Sequence, residues 1–163
     1  MDYRYATKEY NNENMARVVG RSLPISTKKS VEVCNFIRNK TTSQAKEILQ
    51  RVINKKQAIP FRIYTKDLGH KRGIGPGRYP KNVAIEINNL IEAVEANAQF
   101  KGLNTSDLQI KHICAHMASR PWRYGRKRRR KAKRTSIEII VEEKKAKEGK
   151  EKAQRKKGKE NKK

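Results

Sequence analysis

Residues 108–142 read LQIKHICAHMASRPWRYGRKRRRKAKRTSIEIIVE, two apolar-rich segments separated by a run of positive charge. From Leu108 to His116 apolar and polar residues partly alternate, and in TSIEIIVE, residues 135–142, Ile137, Ile139 and Val141 share one face. A period of two is the pattern of a strand with one face buried. The two segments therefore predict a long hairpin whose protruding arm spans 117–134. Ten of the fifteen residues in 120–134 are basic: Arg120, Arg123, Arg126, Lys127, Arg128, Arg129, Arg130, Lys131, Lys133 and Arg134. None is acidic, and Trp122 and Tyr124 add stacking surface. Such a run repels itself, so its order is expected to come from a polyanion. Nucleic acid fits, because phosphate neutralisation releases counterions.

Upstream of the hairpin the period changes to that of helices. Val83, Ile87, Leu90, Ile91, Val94 and Ala98 lie on one helical face, with Gly102 as the stop. Thr41 and Gln44 form a capping box ahead of Ala45, Ile48, Leu49, Val52 and Ile53, a clean i, i+3, i+4, i+7, i+8 series. Ser26 offers a cap to a shorter helix carrying Val33, Phe36 and Ile37 and running to Arg38. Residues 15–23 (MARVVGRSL) read as a short strand. Between 54 and 80 periodicity is lost among Gly69, Gly73, Gly75, Gly77, Pro60, Pro76 and Pro80, which predicts a long irregular loop. The result is one small domain, 15–143, of helices and strands. A polar, tyrosine-bearing arm (1–14) that orders on binding precedes it, and a lysine-rich tail (144–163), disordered alone, follows.

Charge sharpens this division. Lys and Arg total 41 against 16 Asp and Glu, a formal charge of +25 on 163 residues. The hairpin arm and the tail carry most of the excess, so a modestly basic domain bears two strongly basic appendages. No run of about 18 apolar residues exists and the first residues lack an apolar segment, so neither a membrane span nor a secretory signal is expected. Cys34 and Cys114 stand apart, as thiols do in a reducing cytoplasm.

Three features invite chemistry. His112 and His116 are spaced to share a strand face with Cys114, and Cys34 or His70 could complete four ligands. The spacing matches no familiar zinc motif, so we expect satisfied or RNA-facing histidines and no metal or cofactor. The stretch 73–80 (GIGPGRYP) lacks the Gly-Lys-Ser/Thr ending of a P-loop but precedes a helix, whose amides favour anions. Beside His70, Lys71, Arg72 and Arg78, it reads as a holder of RNA phosphate. Glu86, Glu92 and Glu95 fall on the exposed side of a helix as solvated ion partners, and no catalytic constellation emerges.

The order and spacing of four stretches carry a resemblance. They are PISTKKSVEVCNFIRNKTTSQAKEIL (24–49), GHKRGIGPGRYP (69–80), IEAVEANAQFKGLNTSDL (91–108), and the strand pair IKHICAH and RTSIEIIVEE. From about Met15 to Glu143 the chain resembles the universal large-subunit ribosomal protein twenty-two family, protein seventeen in eukaryotes. The long insert with Ile59-Pro60-Phe61 and the Gly-Arg-Tyr-Pro ending is similar to the archaeal and eukaryotic branch. The resemblance implies an α+β fold, three helices packed on a small three-stranded antiparallel sheet with a long basic hairpin. It implies a non-enzymatic, cytoplasmic protein of the large ribosomal subunit that binds large-subunit rRNA and supports its assembly. It also implies a place at the peptide exit tunnel, beside neighbouring ribosomal proteins and the nascent peptide, with the arm directed towards the tunnel wall. By position, Lys28, Lys29 and residues 70–78 join the arm as rRNA-facing groups. A duplex-DNA-binding protein would share the charge, and a metal-dependent nuclease would need His112 or His116; neither explains the four stretches.

Overall fold

The computed structural model describes residues 3–144; the expected disordered tail falls, from residue 145 on, outside the described residues. The chain runs β1 (Met15–Leu23), α1 (Thr27–Ile37), α2 (Thr42–Ile53), β2 (Ile59–Pro60), β3 (His70–Lys71), β4 (Gly75–Arg78), α3 (Lys81–Phe100), β5 (Leu108–Met117) and β6 (Thr135–Glu143). An antiparallel sheet in the order β1-β6-β5 forms the base, so the strand richest in isoleucine lies at its centre. The three helices cover one face, where Ile113, Ile137, Ile139 and Val141 meet Val33, Ile37, Leu49, Ile87 and Ile91 in one core. Burial of these side chains is the main source of stability. The expected α+β fold is what the chain adopts.

Local signals explain the helix ends. Thr41 caps α2, its side-chain oxygen accepting from the Gln44 amide at 3.3 Å. Thr41→Ala is expected to cost about 1 kcal/mol, read as a lower midpoint in urea; an unchanged midpoint would show the cap to be idle. After α3, Gly102 takes φ +76°, and the amides of Gly102 and Leu103 return to Gln99 and Ala98, closing the orphan carbonyls. Ser26 differs from expectation. Its backbone occupies the cap position of α1, but its side chain makes no capping bond. Ser30 Oγ instead donates back to the Ser26 carbonyl, and Thr27 and Thr135 hydroxyls meet at 2.8 Å, tying α1 to β6.

Two expectations are corrected. Residues 54–80 are not irregular throughout: β2, β4 and β3 form a second small antiparallel sheet in that order. Gly77 permits it, since a Cβ there would lie 3.2 Å from the Ile59 carbonyl oxygen and 3.0 Å from Ile74 Cδ1. Residues 3–14, expected to order on binding, find partners within the chain and lie on the sheet face away from the helices. Arg17 stacks 4.9 Å over Tyr5 and 4.6 Å over Tyr10, Arg21 lies 5.3 Å over Tyr3, and the Ala6 amide donates to Glu138 at 3.1 Å. Cation–π pairs and charge-assisted bonds thus hold an arm poor in aliphatic side chains. The hairpin arm likewise has backbone pairing of its own, given below.

Candidate nucleic-acid interface

The regular β5–β6 ladder ends at Met117 and Thr135, and beyond it the arm is held by sparse backbone bonds. The Arg123 amide reaches the Arg130 carbonyl at 2.8 Å, Ala132 reaches Pro121 at 2.9 Å, and Trp122 bridges Lys131. Backbone pairing keeps the strands together while the long side chains splay outward, which relieves their repulsion. A short turn of 3-10 helix at Gly125–Lys127 closes the tip, with Gly125 at φ +65° and Arg129 at φ +70°. All ten basic residues of the arm are exposed. Lys131 Nζ sits 4.6 Å over the Trp122 ring, so one ring face carries a cation while the residue stays 62 % exposed. Tyr124 is 92 % exposed.

At the foot of the arm lies a groove of about 650 Å³ lined by Ser26, Lys28, Lys29, Tyr64, Lys66, Arg78 and Lys133, among others. It gathers cations from the start of α1, the end of β4, the 61–68 loop and the arm. Lys133 and Lys29 also line a smaller adjoining hollow with Pro80, Lys81 and Asn82, where α1 and α3 both begin. Helix starts present free amides and a positive dipole end, which add to the lysines, while Asp67 is the one acidic residue in the lining of the larger groove. Lys28 Nζ lies 5.6 Å over Tyr64, pairing charge with a stacking face.

One buried acid shapes this wall. Glu32, 2 % exposed on α1, accepts from three successive amides: Arg62 at 3.1 Å, Ile63 at 2.8 Å and Tyr64 at 2.7 Å. The carboxylate pins the 61–64 turn against the helix and sets Tyr64 at the groove.

The expected residues thus divide. Lys28, Lys29, Arg78 and Lys133 converge at the groove, whereas His70 and Lys71 form β3 and Arg72 begins the turn after it, and the remaining basic residues sit on the arm. Lys71 Nζ lies 5.7 Å over Tyr79. Arg78 also donates to the Asp67 carbonyl at 2.8 Å, so part of its donor set is spent inside the protein. Sequence reasoning passed over Tyr64, Lys66, Lys81 and Glu32. The first three follow loop or helix-start positions that only the tertiary fold turns inward, and Glu32 adjoins an apolar helical face, its one available signal. Glu95 does not pair within its helix; it meets Lys46 of α2 at 2.5 Å.

Residues 18–142 match the family described as Ribosomal protein L22p/L17e. Among similar proteins, the large ribosomal subunit protein uL22 of Methanopyrus kandleri is 41% identical over 86% of this chain and 94% of its own length. The uL22 proteins of Thermoplasma acidophilum and Nanoarchaeum equitans are 42% and 41% identical, over 85% and 82% of this chain and 94% and 81% of their own lengths. With the family pattern spanning both sides of the hairpin, the chain belongs to the ribosomal protein L22p/L17e family, a family of structural ribosomal proteins rather than enzymes.

Proposed function

We propose that this chain is built into the large ribosomal subunit in the cytoplasm, where it binds large-subunit rRNA and supports its folding. The observation that carries the reading is the continuity of cation from the exposed, acid-free arm into the groove at its foot. Where rRNA segments pack closely their phosphates repel, and an arm of guanidinium forks placed between them lowers that repulsion. Lys28, Lys29, Arg78 and Lys133 hold one phosphate stretch at the groove, while His70, Lys71 and Arg72 reach a second on the small sheet. Recognition is of shape and backbone. Trp122 and Tyr124 stack on unpaired bases, worth roughly 1–3 kcal/mol per base.

In this reading the arm points towards the wall of the peptide exit tunnel, and the body meets neighbouring large-subunit proteins near the exit. The nascent peptide is then a passing neighbour of the tip. The family membership and the archaeal uL22 relatives support a place in the large subunit.

The test is binding of full-length chain to large-subunit rRNA fragments with the groove charge reversed by Lys29→Glu and Lys133→Glu. Both side chains are on the surface of the groove, so the fold tolerates the change. Affinity at moderate salt should fall about tenfold or more, since two phosphate contacts become repulsions. Equal affinity would remove the groove from the interface.

A further inference from the structure

On the sheet face away from the helices, β5 and β6 bring together a group that the RNA interface does not use. Cys114 and Glu138 are register partners on neighbouring strands, and His112 and His116 flank Cys114 on the same side. One donor atom each from Cys114, His116 and Glu138 all lie within 4.8 Å of one another. Glu138 Oε1 is 2.7 Å from His112 Nε2 and 3.3 Å from His116 Nε2. The Glu138 side chain is wholly buried, while that of His116 is 41 % exposed and leaves a way in from solvent.

The geometry points to a transition-metal site at which Cys114, His116 and Glu138 bind a zinc-class divalent ion, with the fourth position left to solvent. Sulfur, imidazole and carboxylate are the ligand set of zinc and of its spectroscopic substitute, cobalt(II). Thiolate and carboxylate together balance the ion's two charges, so a buried site stays neutral within a strongly basic chain. The His116 imidazole gives one ring nitrogen to the metal and carries its proton on the other, and the Cys114 proton leaves to solvent. The N-terminal arm supplies the outer support: the Ala6 amide donates to Glu138 at 3.1 Å and holds the carboxylate in place. Neither Cys34 nor His70, which spacing alone could add to the set, joins this group; Glu138 does, because strand register decides which side chains meet. Cys34 lies in the core, where burial pushes its thiol up to about 12 and removes it as a competing thiolate.

Cobalt(II) titration of the full chain, freed of metal by chelator, tests the site. One equivalent should bind, give a sulfur-to-cobalt charge-transfer band, and be displaced by zinc. Cys114→Ser, which leaves the Glu138–histidine contacts standing, should abolish that band, and His116→Gln should weaken binding about tenfold or more. Cys34→Ala should keep the band. A chain that takes up no stoichiometric cobalt would show instead that Glu138 and its histidines are a hydrogen-bonded lock for the N-terminal arm, and a band that persists in Cys114→Ser would put the sulfur ligand elsewhere and overturn the site.

Discussion

Changing Arg128, Arg129 and Arg130 together to alanine will lower the slope of log affinity against log salt for rRNA binding by about 2 to 3. Each phosphate neutralised contributes roughly 0.7 to 0.9 to that slope, the smaller figure for single strands. All three guanidinium groups are exposed at the tip, and the bonds that shape it run through backbone: Arg123 to Arg130 at 2.8 Å, Arg128 to Gly125 at 3.0 Å, Arg130 to Lys127 at 3.3 Å. Alanine keeps those bonds, so the variant reports charge rather than shape. Arg129 has φ +70°, and alanine there bears the same backbone strain as arginine. Affinity measured by fluorescence anisotropy between about 50 and 200 mM salt gives the slope. A slope unmoved by the triple change means these arginines do not touch phosphate.

Glu32→Ala will destabilise the domain by about 3 kcal/mol and loosen the groove wall as it does so. Its carboxylate accepts from three consecutive amides, and removing it leaves buried donors with no acceptor, at about 1–3 kcal/mol for each that water fails to reach. For a domain of this size the thermal midpoint should drop roughly 6–12 °C. Amides of residues 62–64 should lose hydrogen-exchange protection ahead of the core. Glu32→Gln, which retains one acceptor oxygen, should recover part of both. An unaltered midpoint with unaltered exchange at 62–64 would mean that other contacts hold this turn. RNA affinity should fall with Glu32→Ala even though a negative charge has been removed, because Tyr64 and Lys66 are carried by the loop that Glu32 anchors. Simple electrostatics predicts the opposite sign, which separates the two explanations.

What was legible in the sequence was whatever a single element decides for itself. The apolar series in α2 and α3 and the alternation in β6 each report one face meeting one core, so helices, strands and the hairpin follow from periodicity. The small sheet was hidden because β2 and β3 are two residues long and β4 is Gly-Pro-Gly-Arg; strands that short have no period, and turn residues dominate them. The N-terminal arm was misread for a related reason. Its anchors are Arg17 and Arg21 stacked on tyrosines, pairs that a hydrophobic pattern does not register.

The interface divides along the same line. Charge density alone marked the arm, and helix-start and glycine-turn chemistry marked Lys28, Lys29 and residues 70–78. Their sorting into groove, small sheet and arm depends on which loops fold back on which strands. Glu138 shows the limit most sharply. It sits on β6 between Ile137 and Ile139, and on the pattern of alternation it should face solvent. Burial pushes its carboxyl up, but hydrogen bonds from His112, His116 and the Ala6 amide outweigh that and hold it below the ordinary carboxylate range. Only the register against β5 and the fold-back of residues 3–14 create that environment.

The measurement that bears most directly on the whole account is a cryo-EM map of ribosomes purified from the source cells. The account predicts density for residues 120–134 inserted between rRNA segments of the large subunit, with nucleotide backbone lying against Lys29 and Lys133. A large subunit without this chain, or a chain whose arm stands free in solvent, would contradict it.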